Sequence, residues 1–289
     1  MVKNIFVSMR LNQWVKNLLL FAGLIFSQNL FNSDLLLKTI YAFFLFCLIS
    51  SSVYIINDLL DLKNDRVHPV KSKRPIASGK LKTHSALIFV IFLSFLSLFL
   101  SYLLSFGFFI VGITYFILNL LYSRYLKHAV ILDVMCIAAG FVLRAVAGAV
   151  VIQVIISPWL VVCTTLLALF LGFGKRRYEL ILLEEKADAH RKILTEYSPY
   201  FLDQLISVVT ASTVVAYAFY TLSAEVKEKL NVEHLELTIP FVLYGIFRYL
   251  YLIHQKEKGG SPSRLLLTDL PILIDIFLWL VCVLVIVYI

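Results

Sequence analysis

What most constrains this chain is a succession of long apolar runs, at roughly residues 15–31, 37–57, 85–105, 107–124, 130–151, 158–174, 204–224, 237–255 and 270–289. Runs near twenty apolar residues match the hydrocarbon thickness of a bilayer and read as membrane-spanning helices. With 61% hydrophobic and only 15% charged residues, an ordinary soluble domain is excluded. The expected fold is all-α, a polytopic membrane protein with nine transmembrane helices forming one unit over residues 1–289. The first run does not read as a cleavable signal peptide, because Arg10, Lys16 and Asn17 break its approach and no small-residue cleavage site follows. Cys47, Cys136, Cys163 and Cys282 lie in separate apolar runs without a CxxC pair, so neither a disulfide framework nor a zinc site is expected.

The net charge of +8 is a topology signal. Of the 26 Lys and Arg residues, 22 fall in the N-terminal segment, in the segments after the second, fourth, sixth and eighth runs, or in the halves of runs that adjoin them (Lys16, Arg124 and Arg248). The opposite side holds Lys38, Lys227 and Lys229, and Arg144 lies inside a run. The positive-inside rule then places the N-terminus in the cytoplasm and the C-terminus outside, in the cell (inner) membrane. Charge distributed in this way points to membrane lipids and anionic substrates rather than to nucleic acid.

The second run ends in a dense polar island, Asn57-Asp58-Leu59-Leu60-Asp61-Leu62-Lys63-Asn64-Asp65. Steps of three and four residues share a helix face, so Asp58, Asp61 and Asp65 align, with Asn57 and Asn64 beside them. Carboxylates so arranged repel one another unless a cation sits among them. Hard oxygen donors suit Mg²⁺, which usually also holds substrate phosphates. The basic run behind the island, Lys71, Lys73 and Arg74, suits the same anion. A solvated loop between two membrane helices is the alternative.

Other polar residues gather at the same membrane face. Residues 1–14 form an amphipathic, interfacial segment, followed by Gln13-Trp14-Val15-Lys16-Asn17, where Trp14 and Lys16 are either interface anchors or members of a site. Residues 66–83 read as a loop broken by Pro69, Pro75 and Gly79, and Ser105-Phe106-Gly107 as a tight hairpin. The fourth run ends in Tyr122-Ser123-Arg124-Tyr125-Leu126-Lys127. In the fifth, Asp133, Gly140 and Arg144 share a face, with Arg144 about 21 Å from the start at ~1.5 Å per residue. A charge at that depth is costly and is expected to face a cavity, with snorkelling as the alternative. The sixth run is expected to stop at Gly172-Phe173-Gly174, before Lys175, Arg176, Arg177, Tyr178 and Glu179. Residues 176–197, with Glu184, Glu185, Lys186 and Asp188 on the polar side, read as an amphipathic cytoplasmic cap helix, a candidate lid. Gly259-Gly260-Ser261-Pro262 reads as a turn, and Asp269 as a cap on the last span or a further member of the polar ring. The one-sided gathering of polar groups favours an enzyme at the interface over a transporter, for which no internal repeat or broken helix pair speaks.

Asn57-Asp-x-x-Asp61-x-x-x-Asp65, followed by His68-Pro-x-Lys-x-x-Arg74-Pro-x-x-Ser78-Gly79, resembles the UbiA superfamily of intramembrane prenyltransferases. Gln13-Trp14-Val15-Lys16-Asn17, Gly140-Phe-Val-Leu-Arg144, Gly174-Lys175-Arg176 with Glu179, and Tyr197-Ser198 with Phe201-Leu202 are similar to its decaprenyl-phosphate phosphoribosyltransferase branch. The resemblance runs from about residue 10 to the end of the chain. It implies helices around a central cavity open to the cytoplasmic side, with Asp58, Asp61, Asp65 and Asn57 as the catalytic, Mg²⁺-diphosphate-binding set. It also implies phosphoribosyl diphosphate and polyprenyl phosphate as substrates. Aromatic-acceptor members carry a second aspartate-rich motif after the sixth span. Here that place holds Lys175, Arg176 and Arg177 with the single carboxylate Glu179, which suits a donor with an additional phosphate. Lys16, Lys71, Arg74, Lys127, Arg144, Lys175 and Arg176 are the candidate phosphate contacts, Tyr122, Tyr178 and Glu179 candidates to orient the ribose, and Asn17 and Asp133 further substrate-side residues, while His68 is expected to be structural. The alternatives are a prenyltransferase acting on an aromatic or other small acceptor and a polyprenyl-lipid transporter. Oligomeric state, including a homo-oligomer, is left open by the sequence.

Overall fold

The computed structural model describes residues 2–67, 70–184, 196–256, 260 and 262–289, and these residues are helices and their connections. A short amphipathic helix, α1 (Val2–Met9), is followed by a 3₁₀ segment, Leu11–Leu20, that runs into α2 (Phe21–Phe26). Next come α3 (Ser33–Leu60) and its short continuation α4 (Leu62–Val67), then α5 (Thr83–Leu104), α6 (Phe106–Arg124), α7 (Leu132–Val151) and α8 (Pro158–Glu184). The chain closes with α9 (Pro199–Leu222), α10 (Ala224–Leu230), α11 (Ile239–His254), α12 (Pro262–Thr268) and α13 (Leu270–Tyr288).

Among the described residues, eight helices are long and apolar enough to cross a membrane, which makes this a multi-pass integral membrane protein. The first of the nine expected spans, residues 15–31, is instead the shorter apolar stretch Leu11–Phe26. Ten residues at the 3₁₀ rise of ~2.0 Å and six at ~1.5 Å still reach about 29 Å, close to the ~30 Å of the hydrocarbon core. So long a 3₁₀ run is uncommon and tends to mark strain or function. This one carries Trp14, Lys16 and Asn17.

Local chemistry sets the other boundaries. Asn32 Oδ1 caps α3 by accepting from the backbone N–H groups of Asp34 and Leu35. Ser105 alone separates α5 from α6, the tight hairpin expected there, and its hydroxyl caps α6. Asp269 caps α13 through the Ile272 N–H and also pairs with Arg248. The sixth span departs from expectation. It does not stop at Gly172–Gly174 but continues as one helix to Glu184, so Lys175, Arg176 and Arg177 are helical. Those glycines serve packing, since a Cβ on Gly172 would lie 2.5 Å from Val134 and one on Gly174 3.2 Å from the Tyr249 ring. The expected cap helix over 176–197 falls from residue 185 to 195 outside the described residues, as do His68, Pro69, Gly259 and Ser261.

Helix α7 joins the two halves of the molecule. On one side Ala147 and Val151 meet Leu20, Leu24, Phe46, Ile49 and Phe108. On the other, Val134 meets Phe170, Phe173, Leu202, Ile206 and Tyr249. Small residues on α7 (Ala145, Ala147, Gly148, Ala149) are buried and allow close approach, the usual basis of helix association in a membrane. A Cβ on Gly148 would lie 1.9 Å from the Leu20 carbonyl oxygen, so backbone meets backbone where α7 crosses the 3₁₀ segment. A third cluster, Met9, Ile55, Ile76, Leu81 and Val90, ties α1 to α3 and α5. Outward-facing Ile88, Ile91, Phe92 and Phe95 on α5 and Ile274, Phe277 and Leu278 on α13 are exposed, as a lipid-facing surface requires.

Candidate active site

At a rise of ~1.5 Å, the 28 residues of α3 span about 42 Å and outreach the hydrocarbon core, so its last turn delivers polar groups to the membrane face. The Asp61 N–H bonds to the Asn57 carbonyl at 2.9 Å and the Asp65 N–H to the Asp61 carbonyl at 2.8 Å, so α4 nearly continues α3. Asp58, Asp61 and Asp65 therefore do follow one stripe. Asp58 and Asp65 are buried and Asp61 partly so, while Asn64 is exposed.

Each carboxylate has a cationic partner on one oxygen. Asp58 Oδ1 accepts from Arg10 and, at 3.0 Å, from Arg74. Asp65 Oδ2 accepts from the same Arg74 nitrogen at 2.5 Å, and Asp61 Oδ1 accepts from Lys127. The second oxygen of each has no protein donor among the described residues. Three metal-binding side chains do not converge into a ready-made cage among those residues. Mg²⁺ does not require one, since it binds through one or two carboxylates and completes its shell with water and substrate phosphate. The donor set fits such an ion.

A second cluster stands on α7 and α8. Arg176, 1% exposed, donates to Asp133 at 2.5 Å, to Glu179 at 2.5 Å and to the Tyr122 hydroxyl at 3.3 Å. The Tyr197 hydroxyl donates to the other Asp133 oxygen at 3.0 Å and accepts from the Ile131 N–H at 2.7 Å. Burial pushes this phenol up to about 12, so it stays protonated and remains a donor. Ile131 has φ of 69°, a costly conformation for a β-branched residue, and Tyr197 holds it at the start of α7.

A third cluster surrounds Arg144. Its guanidinium donates to Asn17 Oδ1 at 2.8 Å, to the Gly140 carbonyl at 2.7 Å and to the Tyr115 hydroxyl at 2.8 Å, with the rings of Tyr115 and Phe141 at 4.8 and 5.2 Å. Arg144 thus does not snorkel outward, and among the described residues neutral dipoles and aromatic faces, not a carboxylate, hold its charge. Lys16 lies over Phe141 at 5.9 Å and has no carboxylate partner among the described residues. Its charged neighbours among the described residues, Lys175, Arg144 and Arg10, are all cations. Lys175 is 3.6 Å from Glu179, which also takes Arg176 at 2.5 Å.

The sequence-expected residues are thus divided. Lys127, Arg74 and the three aspartates form one group. Asp133, Tyr122, Arg176 and Glu179 form another, and Arg144 and Asn17 a third, with Lys16 and Lys175 between them. Lys71 is half-buried on the 3₁₀ turn Lys71–Lys73, and the Tyr178 ring packs beside Gly260. The basic triplet does not act as one cluster. Consecutive helical residues diverge by about 100°, and Arg177 turns away to Asp203 at 2.5 Å. Arg10, Tyr115 and Tyr197 were not expected in the network. Only the cationic end of the amphipathic α1 hinted at Arg10.

An apolar cavity of about 760 Å³ runs from Leu18 and Leu19 to Gln28 and Lys229, lined by Leu167, Leu171, Trp279 and Val283 among others; none of the cluster side chains described above lines it. Leu18 and Leu19 follow Lys16 and Asn17 directly, so one wall of the cavity continues the segment that carries the unpaired cation.

Comparison with known proteins adds three findings. The model of the UbiA prenyltransferase family matches residues 18–281. The chain is 31% identical to the decaprenyl-phosphate phosphoribosyltransferase of Corynebacterium glutamicum over 98% of its own length and 86% of that protein, and 30% identical to that of Mycolicibacterium smegmatis over 97% and 91%. Its fold matches a UbiA homolog from Archaeoglobus fulgidus bound to GPP and Mg²⁺, with a TM-score of 0.73 and 18% identity, covering 99% of this chain and 100% of that one.

Proposed function

The chain belongs to the UbiA prenyltransferase family, and within it we propose the transfer of a 5-phosphoribosyl group from phosphoribosyl diphosphate to a polyprenyl phosphate, with release of diphosphate. The single observation that carries this reading is the charge layout. A carboxylate stripe suited to a metal-bound diphosphate stands apart from Lys16, whose charged neighbours among the described residues are all positive. Such a place is suited to phosphate and unsuited to a second metal. The near-full-length relatives named for this activity support it.

In this reading Asp58, Asp61 and Asp65, with Asn57 beside them, hold Mg²⁺. The ion would neutralise charge developing on the leaving diphosphate. Lys16 and Lys175 bind the remaining phosphates, aided by Lys71 and by the field of Arg144, each of whose three nitrogens already donates to a protein acceptor. Arg74 and Lys127, already on the carboxylates, flank the diphosphate. Tyr122, Tyr178 and Glu179 line the place of the ribose, and Asp133 fixes Arg176 beneath it. The C1–O bond to diphosphate breaks as a polyprenyl phosphate oxygen bonds to C1. That oxygen is already anionic, so no strong base is required. The isoprenoid tail lies in the apolar cavity that begins at Leu18 and Leu19. The polar face is cytoplasmic, by the distribution of Lys and Arg, where the soluble donor can reach it.

The test is incubation of purified protein with phosphoribosyl diphosphate, polyprenyl phosphate and Mg²⁺. Diphosphate release and a polyprenyl-phosphoryl-5-phosphoribose mass are expected. A folded preparation that yields neither, yet joins geranyl diphosphate to an aromatic acid, would replace this reading with the aromatic-acceptor one. Asp61→Asn is expected to remove at least about 99% of the activity, the loss of roughly 3 kcal/mol of charge stabilisation.

A further inference from the structure

Arg10 occupies a position that the phosphate contacts and metal ligands above do not explain. Its guanidinium reaches Asp58 Oδ1, an oxygen that Arg74 already neutralises while also bridging to Asp65. On its other side Arg10 bears on Lys16, another cation. It therefore stands between the carboxylate stripe and the unpaired positive charge. There it is attracted from one direction and repelled from the other unless an anion sits between them.

The backbone presents Arg10 deliberately. It adopts a left-handed conformation (φ 55°, ψ 55°) at the junction of α1 and the 3₁₀ segment, uncommon for a residue other than glycine, asparagine or aspartate. The junction is fixed on both sides. The Ser51 hydroxyl donates to the Met9 carbonyl at 3.0 Å and accepts from the Trp14 indole at 3.0 Å. The Arg10 guanidinium lies 5.1 Å from the Tyr54 ring, one turn before Asp58 on α3. With the backbone held, the side chain alone can move, and at 25% exposure it has room to do so.

We propose that Arg10 is an exchangeable counter-ion of the metal site. It neutralises Asp58 when the site is empty, yields that oxygen to the metal, and turns to the diphosphate that arrives with it. This rests on the metal reading of the aspartate stripe. Arg74 and Lys127 are less suited to the exchange. Arg74 bridges two carboxylates, and the Lys127 side chain is 8% exposed.

Exchange has a signature that a structural role lacks, because one substitution shifts two affinities in opposite directions. Equilibrium Mn²⁺ binding to the full chain in detergent, read by electron paramagnetic resonance without donor, is expected to tighten roughly three- to tenfold in Arg10→Gln, since a competing cation is gone. Inorganic diphosphate binding in the presence of saturating Mn²⁺ is expected to weaken by a similar factor. Arg10→Lys, which keeps the charge but not the guanidinium that lies over Tyr54, should shift both affinities in the same directions but by less than Arg10→Gln. If Arg10→Gln leaves Mn²⁺ affinity unchanged or weakens it while Asp61→Asn abolishes binding, the counter-ion inference falls and the metal reading stands. If the native protein binds no Mn²⁺ even with diphosphate, the metal reading falls and takes this inference with it.

Discussion

At the scale of single residues, the buried polar groups matter through what they hold. Asp133 is fully buried and receives Arg176 and Tyr197 on its two oxygens. Asp133→Asn should cost about 2 kcal/mol, because Arg176 keeps Glu179 but loses its fully buried carboxylate partner, and the new amide NH₂ would face a donor, Arg176 or the Tyr197 hydroxyl; a lower melting temperature in detergent would register this. Arg144→Lys keeps the charge but cannot reach Asn17, Gly140 and Tyr115 together. It should cost about 2 kcal/mol by the same measurement. Most of these side chains were legible in the sequence as charges in an apolar setting. Their partners were not. Asp133 and Arg144 share a helix face, but eleven residues at ~1.5 Å separate them by about 16 Å, so each takes partners from other helices as well. Arg10 was legible only as the cationic end of an amphipathic segment, because nothing within its own stretch ties it to Asp58, 48 positions away.

At the scale of elements, the crossing of α7 over the 3₁₀ segment determines where Lys16 and Asn17 sit. Gly148 permits that crossing with its backbone against the Leu20 carbonyl. Gly148→Ala forces the two apart and should cost about 3 kcal/mol. Activity should fall further than for a substitution of equal destabilisation on the lipid face of α5, since Lys16 is displaced; activity assayed well below both melting temperatures separates the effects. Apolar run length located each long helix, most of them to within two residues, while α3, α8 and α9 extend beyond their apolar runs into polar sequence. It could not show that the first expected span is instead a 3₁₀ segment running into a short helix, since length and hydropathy do not encode rise per residue. Nor could it show that Gly172 and Gly174 lie within α8, because a glycine that ends a helix and one that admits a neighbour look alike in sequence.

At the scale of the whole molecule, the uneven placement of Lys and Arg predicts orientation. In a variant lacking Cys47, Cys136, Cys163 and Cys282, Lys73→Cys should react with a membrane-impermeant maleimide only after permeabilisation, whereas Glu228→Cys should react in intact cells. The reverse pattern would invert the proposed topology. The apolar cavity beside Leu18 and Leu19 has a kinetic consequence. A substrate whose tail enters between membrane-spanning helices is delivered by sideways diffusion in two dimensions. Its effective concentration is then its mole fraction in the surrounding lipid or micelle, not its amount per litre. Adding inert detergent at fixed lipid substrate should therefore slow turnover by dilution within the surface, while the apparent KM for the water-soluble donor stays put.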